Sequence, residues 1–168
     1  EPCIEFLASL CSTTRRLQRL KLSNAGVNEH EANCLIAALL NNKSLRSLSV
    51  DNNNITNSEQ WAQLLKINKV LESLDLSGNH LCTVRGSDGA LLQFGEALIG
   101  NRKLRDLNLA RNGFQESSVK KFIALIKEHG DEMGIRSTDL VNDSTTLSQG
   151  VRDELASVMA RPWVAQDD

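Results

Sequence analysis

The chain has 168 residues and a mass of 18.5 kDa, which is enough for one domain with a buried core. A formal charge of −2 gives no net pull toward nucleic acid or membrane, and no apolar run reaches the roughly 18 residues that would span a bilayer. Cys3, Cys11, Cys34 and Cys82 form neither a CxxC pair nor a terminal cluster, so the expected setting is a reducing one, the cytoplasm or the nucleus.

Taken in chain order, residues 1–16 place Ile4, Leu7 and Cys11 at helical spacing, i, i+3 and i+7, and read as the helix of a preceding repeat whose strand is missing. The chain is therefore expected to be a piece of a longer protein, or to begin with an N-cap built from a bare helix. Glu1, Pro2 and Cys3 lack the basic and apolar regions of a secretory signal.

From Leu17 onward one pattern recurs. Leu17, Leu20 and Leu22 lead to Ala25 and Val27; Leu45, Leu48 and Val50 lead to Asn53 and Ile55. Leu71, Leu74 and Leu76 lead to Asn79 and Leu81; Leu104, Leu107 and Leu109 lead to Asn112 and Phe114. The repeat starts lie 28, 26 and 33 residues apart, giving repeats over 17–44, 45–70, 71–103 and 104–134. Before the second, third and fourth starts, apolar residues recur at helical spacing: Ala32, Leu35 and Leu39, then Trp61 and Leu65, then Leu91, Phe94 and Leu98. The spacing predicts a strand and then a helix in each repeat. Ile135, Thr138 and Leu140, with Asp143 in the Asn place, read as a degenerate fifth strand. Val151, Leu155, Val158, Met159 and Trp163 line a last helix that stops near Pro162, so 135–168 is expected to be a C-terminal cap.

Four copies of L-x-x-L-x-L-x-x-N-x-L resemble the leucine-rich repeat family, and repeats near 28 residues resemble its ribonuclease-inhibitor-like class. That resemblance covers nearly the whole chain. It implies an α/β fold, a curved solenoid with parallel strands on the concave side, helices on the convex side and a C-terminal helical cap. It implies a protein–protein interaction module, not an enzyme, with no cofactor. The architecture is also similar to the tropomodulin C-terminal domain, which caps actin filaments, and to the repeat arrays of nucleotide-binding innate immune receptors. The Ran GTPase-activating protein uses this scaffold with an arginine on a loop after a strand. Arg111 has a roughly comparable place, which leaves an enzyme-regulating scaffold acting through Arg85 or Arg111 as an alternative reading. A purely structural array supporting other domains is a further one.

Alternation along each strand sends Leu20 and Leu22 inward and Arg19, Lys21 and Ser23 outward. The outward columns are Arg19, Ser47, Ser73, Asp106, Ser137; then Lys21, Ser49, Asp75, Asn108, Asp139; then Ser23, Asp51, Ser77, Ala110, Val141. This face is polar, basic at its start and acidic beyond, without an aromatic anchor. A partner's basic segment is expected to meet Asp51, Asp75, Asp106, Asn108 and Asp139 there, with Arg19 and Lys21 at the other end. The excess length of the third repeat falls in 82–89, where Arg85 and Asp88 form a candidate rim contact. Asn53, Asn79 and Asn112 are expected to be structural, bonding backbone groups of their own and the next repeat.

Other chemistry finds little footing. His30 and Cys34 are spaced i, i+4 on a helix, short of the three or four ligands zinc needs, and no metal site is expected. Arg102, Lys103, Arg105, Lys120, Lys121 and Lys127 are expected to make the outer side basic, a solvated face rather than a nucleic-acid site. Oligomeric state is not legible.

Overall fold

The structure, a computed structural model, describes residue 9 and residues 15–82, 89–140 and 147–160. Strands β1 (Arg19–Lys21), β2 (Ser47–Ser49), β3 (Ser73–Asp75), β4 (Asp106–Asn108) and β5 (Ser137–Asp139) alternate with helices. The helices are α1 (Glu29–Leu40), α2 (Ser58–Ile67), α3 (Gly89–Leu98), α4 (Glu116–His129) and α5 (Gln149–Met159), with a 3-10 turn over Gly130–Glu132 after α4. The five strands form one parallel sheet in the order of the chain. Leu20, Leu48, Leu74, Leu107 and Thr138 stand in register across it.

Local chemistry starts the helices. Asn28 caps α1, its side chain accepting from the Glu31 N–H (3.1 Å) while Glu31 accepts from the Asn28 N–H (2.9 Å). Asn57 accepts from the Gln60 N–H (3.2 Å) at the start of α2. The helical stripe then packs on the inward strand residues. Leu35, Trp61 and Phe94 are fully buried, as are Leu39, Leu65 and Leu98, against Leu48, Leu74 and Leu107. Ser58, at the polar member of the third row, is half-buried and donates to Gln93 (3.3 Å). The α/β solenoid read from the sequence is the observed architecture.

The two ends differ from the middle because each lacks a neighbour on one side. Leu17, Leu20 and Leu22 are only partly buried at the β1 end. At the other end Thr138 takes the strand position of leucine, and its hydroxyl is buried without a partner. Beyond it Leu140, Leu147, Val151, Leu155 and Val158 are buried. The expectations for residues 1–8 and 10–14, and those for Val141, Asp143, Pro162 and Trp163, lie outside the described residues.

Entry into β5 depends on Gly134. A Cβ there would come within 2.4 Å of the Arg102 carbonyl carbon and 2.5 Å of its oxygen, and main chain cannot swing aside. The Gly134 N–H donates to the Asn101 carbonyl at 2.7 Å, which fixes that close approach. Gly134→Ala is expected to lower the unfolding free energy by about 1–3 kcal/mol, the usual cost of overpacking. Urea unfolding would read it, and an unchanged midpoint would show that the two segments can separate.

Candidate interaction surfaces

Because the strands are parallel and in register, the chain has an open strand face and two edges, one at the N-terminal and one at the C-terminal ends of the strands. On the open face Arg19 and Lys21 are exposed on β1, while Asp106 and Asp139 are exposed on β4 and β5. Asp75 and Asn108 are half-buried beside them in the register Lys21, Ser49, Asp75, Asn108, Asp139.

Most of these acids already hold something. One Asp75 oxygen accepts from the Ser77 N–H (2.9 Å) and hydroxyl (2.7 Å), and one Asp106 oxygen accepts from the Ser137 hydroxyl (2.6 Å). Asn108 accepts from the Ala110 N–H (3.1 Å). Asp51 is more heavily engaged, accepting from the Ser23 and Ser49 hydroxyls on one oxygen and from the Asn52 amide (2.7 Å) on the other. Partial burial pushes the Asp51 carboxyl up, but these hydrogen bonds outweigh it and hold its pKa below the ordinary carboxylate value. The third outward column does not stay outward: Ser77 and Ala110 are buried, since the chain has begun its turn toward the helix. Arg85 and Asp88 lie outside the described residues.

Beneath the C-terminal edge runs the asparagine ladder. The Asn53 amide donates to the carbonyls of Leu22 (2.9 Å), Val50 (2.9 Å) and Asp51 (3.0 Å), and its oxygen accepts from the N–H groups of Ala25 (3.0 Å) and Val27 (2.9 Å). Asn79 repeats this one repeat later, donating to Val50 (3.0 Å) and Leu76 (2.9 Å) and accepting from Asn53 and Ile55, both at 3.2 Å. Asn112 donates to Leu76 (2.9 Å) and Leu109 (3.0 Å) and accepts from Leu81 (3.2 Å). The bonds therefore run within each asparagine's own repeat, as expected, and otherwise to the preceding repeat rather than to the next. The side chain leaves the strand end toward the turn already laid down beside it.

A second asparagine column went unread in the sequence. Asn42, Asn68 and Asn101, each three residues before a repeat's first leucine, are buried at the other edge. Each oxygen accepts from the N–H groups that open the next strand segment: Leu45 (2.6 Å), Leu71 (2.9 Å) and Leu104 (3.1 Å). Asn68 donates back to Leu39 (2.8 Å), and Asn101 to Leu65 (2.7 Å). The constant offset was the available signal. It lies outside a repeat motif that begins at the leucine.

The two edges differ in charge, the one at the N-terminal ends of the strands being largely cationic. Along the N-terminal ends of the strands lie Lys43 and Arg46, then Lys69, then Arg102, Lys103 and Arg105, then Arg136, with Glu72, Asp131 and Glu132 among them. Arg102, Lys103 and Arg105 thus lie on this edge and not on the outer helices, a correction to the expected convex patch. Helical Lys120 and Lys127 are neutralised by Glu116 and Glu154. At the C-terminal edge Asn24, Asn52, Gly78 and Arg111 occupy the same place in successive repeats, all with φ between 51° and 65°. Asn and Gly tolerate that left-handed backbone, whereas arginine is uncommon there.

His30 and Cys34 touch only loosely (Nε2 to Sγ 4.0 Å), and among the described residues no group of three His, Cys, Asp or Glu could hold a metal. Cys34 and Cys82 are half-buried thiols, not joined in a disulfide, that pack on the core. A shallow hollow between α2 and α3 is lined by Glu59, Gln63, Lys66, Gln93 and Glu96. Among the described residues no helix is long and apolar enough to cross a membrane.

Comparison with known proteins agrees with this geometry. The family profile described as Leucine Rich Repeat matches residues 70–92, and a second, Leucine Rich repeat, matches 100–122. The chain is a leucine-rich repeat solenoid. No curated protein sequence matches it. Among solved structures it is similar to leiomodin-1 actin-binding site 2, with a TM-score of 0.73 and 17% identity over 94% of this chain and 86% of that one. It is also similar to the tropomodulin C-terminal domain of Caenorhabditis elegans, with a TM-score of 0.72 and 15% identity over 93% and 90%. At such identities the likeness is one of fold: leucine-rich repeats of this length stacked in the same way.

Two predictions follow from the bonds above. Asn79→Ala and Asn68→Ala are each expected to cost about 1–3 kcal/mol, because each strands buried backbone groups, whereas the exposed control Asn54→Ala should change little. Urea unfolding would test this; a small cost at Asn68 would demote the second column. At the cap, Glu116 accepts from Lys120 (2.7 Å) and from the Ser148 N–H (2.7 Å). The Lys120 hydrogen bond first, then Ser148, lowers its pKa from 4.5 to about 2. A depressed pKa means the contact is present above pH 4.5 and is lost as pH falls through about 2. The Ser148 amide resonance should move over that window and stay flat in Glu116→Gln.

Proposed function

We propose that this leucine-rich repeat array is a protein-interaction domain whose open strand face takes a basic segment of a partner protein. The observation that most supports the reading is a group of pre-set acceptors. Ser77 and Ser137 each fix one oxygen of Asp75 and Asp106, and among the described residues the other oxygen of each has no hydrogen-bond partner, beside Asn108 and Asp139. Carboxylates already held in one rotamer lose little freedom on binding. Arg19 and Lys21 at the far end give the bound segment a direction, its cations over β3 to β5. Asp51, with both oxygens engaged, contributes field more than contact. Arg85 and Asp88, in the connection that leaves β3, would extend the contact at the rim.

The triple variant Asp75→Asn, Asp106→Asn, Asp139→Asn tests this. Its affinity for an octalysine peptide at low salt is expected to fall about ten-fold, with partners recovered from cell extract lost in parallel. Equal affinity and equal recovery would remove the open face from consideration.

A second reading, an actin-assembly domain, is favoured by the fold shared with leiomodin-1 actin-binding site 2 over most of both chains. Co-sedimentation with actin filaments that the triple variant does not alter would support it and move the contact elsewhere. A GTPase-activating role rests on exposed Arg111 in its left-handed turn. Arg111→Asn should leave the fold intact and abolish any stimulation of GTP hydrolysis; no stimulation by the wild type ends that reading.

A further inference from the structure

The edge at the N-terminal ends of the strands has a feature that neither the repeat pattern nor the open face accounts for. Ile67, the last residue of α2, is 60% exposed, and among the described residues no other large apolar side chain is. The same place in the neighbouring repeats, four residues before the first leucine, holds Asn41 and Gly100, both exposed. The backbone there has no need of an aliphatic side chain. Removing one from water contributes about 1.5–3 kcal/mol when it is complete, and here most of that stabilisation is forgone.

Ile67 sits in the middle of the basic edge. Lys66 and Lys69 flank it, Lys43 lies in the connection before and Lys103 in the connection after, all exposed. No ion pair among the described residues engages these four lysines. Partial burial also pushes the Lys69 ammonium pKa down, a penalty that a nearby anion would relieve. Complementing helix dipoles does not account for the row: of the four, Lys66 alone lies in a last helical turn, and the dipole acts over little more than that turn. The platform is also stiff. Asn68 donates to the Leu39 carbonyl (2.8 Å) and Asn101 to those of Leu65 (2.7 Å) and Asn68 (3.4 Å), so successive connections are bonded into one continuous ledge.

We propose that this ledge is a second interaction surface, which receives an acidic segment of a partner protein and packs an aliphatic side chain of that segment on Ile67. Single-stranded nucleic acid fits less well, because the ledge offers no aromatic ring for base stacking. An anionic membrane fits less well too: one aliphatic residue is a weak anchor, and Glu72, Asp131 and Glu132 along the same edge would repel lipid head groups. A protein segment can meet both signs of charge and an apolar contact in one line.

Fluorescence anisotropy with two labelled peptides tests this on the whole chain: one alternates Glu and Leu, the other is oligoglutamate of equal length. Wild type is expected to bind the Glu/Leu peptide more tightly. Ile67→Ser should weaken that binding about ten-fold and leave oligoglutamate unchanged, while Lys43→Glu, Lys69→Glu, Lys103→Glu together should abolish both. All four positions are exposed, and circular dichroism would check that the fold persists. The Asp75, Asp106, Asp139 variant should bind both peptides as wild type does, so this surface and the open face stand or fall separately. Peptide binding unaffected by either ledge variant would overturn the proposal. So would tighter, charge-dependent binding to phosphatidylserine vesicles or oligouridylate, or self-association abolished by the lysine reversals, which would make the occupant a second copy of this chain.

Discussion

Everything in this molecule hangs on how the chain disposes of the backbone groups that its turns leave unpaired. A strand of three residues pairs few of its own peptide groups, and each repeat must reverse direction twice within about 28 residues. Buried carbonyls and N–H groups at those reversals would each cost on the order of 1–3 kcal/mol if left alone. Two columns of buried asparagine, one at each edge of the sheet, share that task with backbone bonds between neighbouring turns. An amide suits the task because it donates and accepts at once, so a single side chain can close a turn and bond the repeat beside it. The leucines supply the driving force for burial; the asparagines decide where the chain is allowed to turn.

With turns fixed in this way, the three surfaces become regular arrays. Equivalent residues in successive repeats stand one strand spacing apart, about 4.8 Å, and their charges line up in rows. The open face grades from Arg19 and Lys21 to the acids of β3 to β5, while the edge bearing Ile67 is largely cationic. A net charge near zero therefore conceals strong local separation of charge. These rows run along the stacking axis, the direction in which the proposed partner segments would lie.

The repeats, the alternation of strand and helix and the buried stripe were legible in the sequence because each is a period, and a period survives substitution at single positions. Leu35, Trp61 and Phe94 are chemically unlike, yet their shared offset placed all three in the core. The Asn53 column was legible for the same reason, although the direction of its bonds was not: spacing says where an amide lies, and only geometry says which neighbour it reaches. The Asn42 column was equally periodic but fell outside the motif boundary. The first two outward columns stand on the strands as alternation implies, whereas Ser23, Asp51, Ser77 and Ala110 lie past the strand ends, and the internal bonds to Ser23, Ser77 and Ser137 depend on side-chain rotamers that no pattern encodes. The exposure of Ile67 was hidden because an apolar residue ending an amphipathic helix reads as core.

The backward reach of the asparagines has a consequence for how the chain is made. The Val27 N–H donates to the side-chain oxygen of Asn53, and the Ile55 N–H to that of Asn79, residues that belong to the following repeat. On a ribosome each repeat must therefore wait, with its turn unsatisfied, until the next one emerges. Each turn is thus completed by the repeat that follows it, its nearest neighbour in sequence. The growing domain never has to wait for distant sequence, only for the length of one repeat.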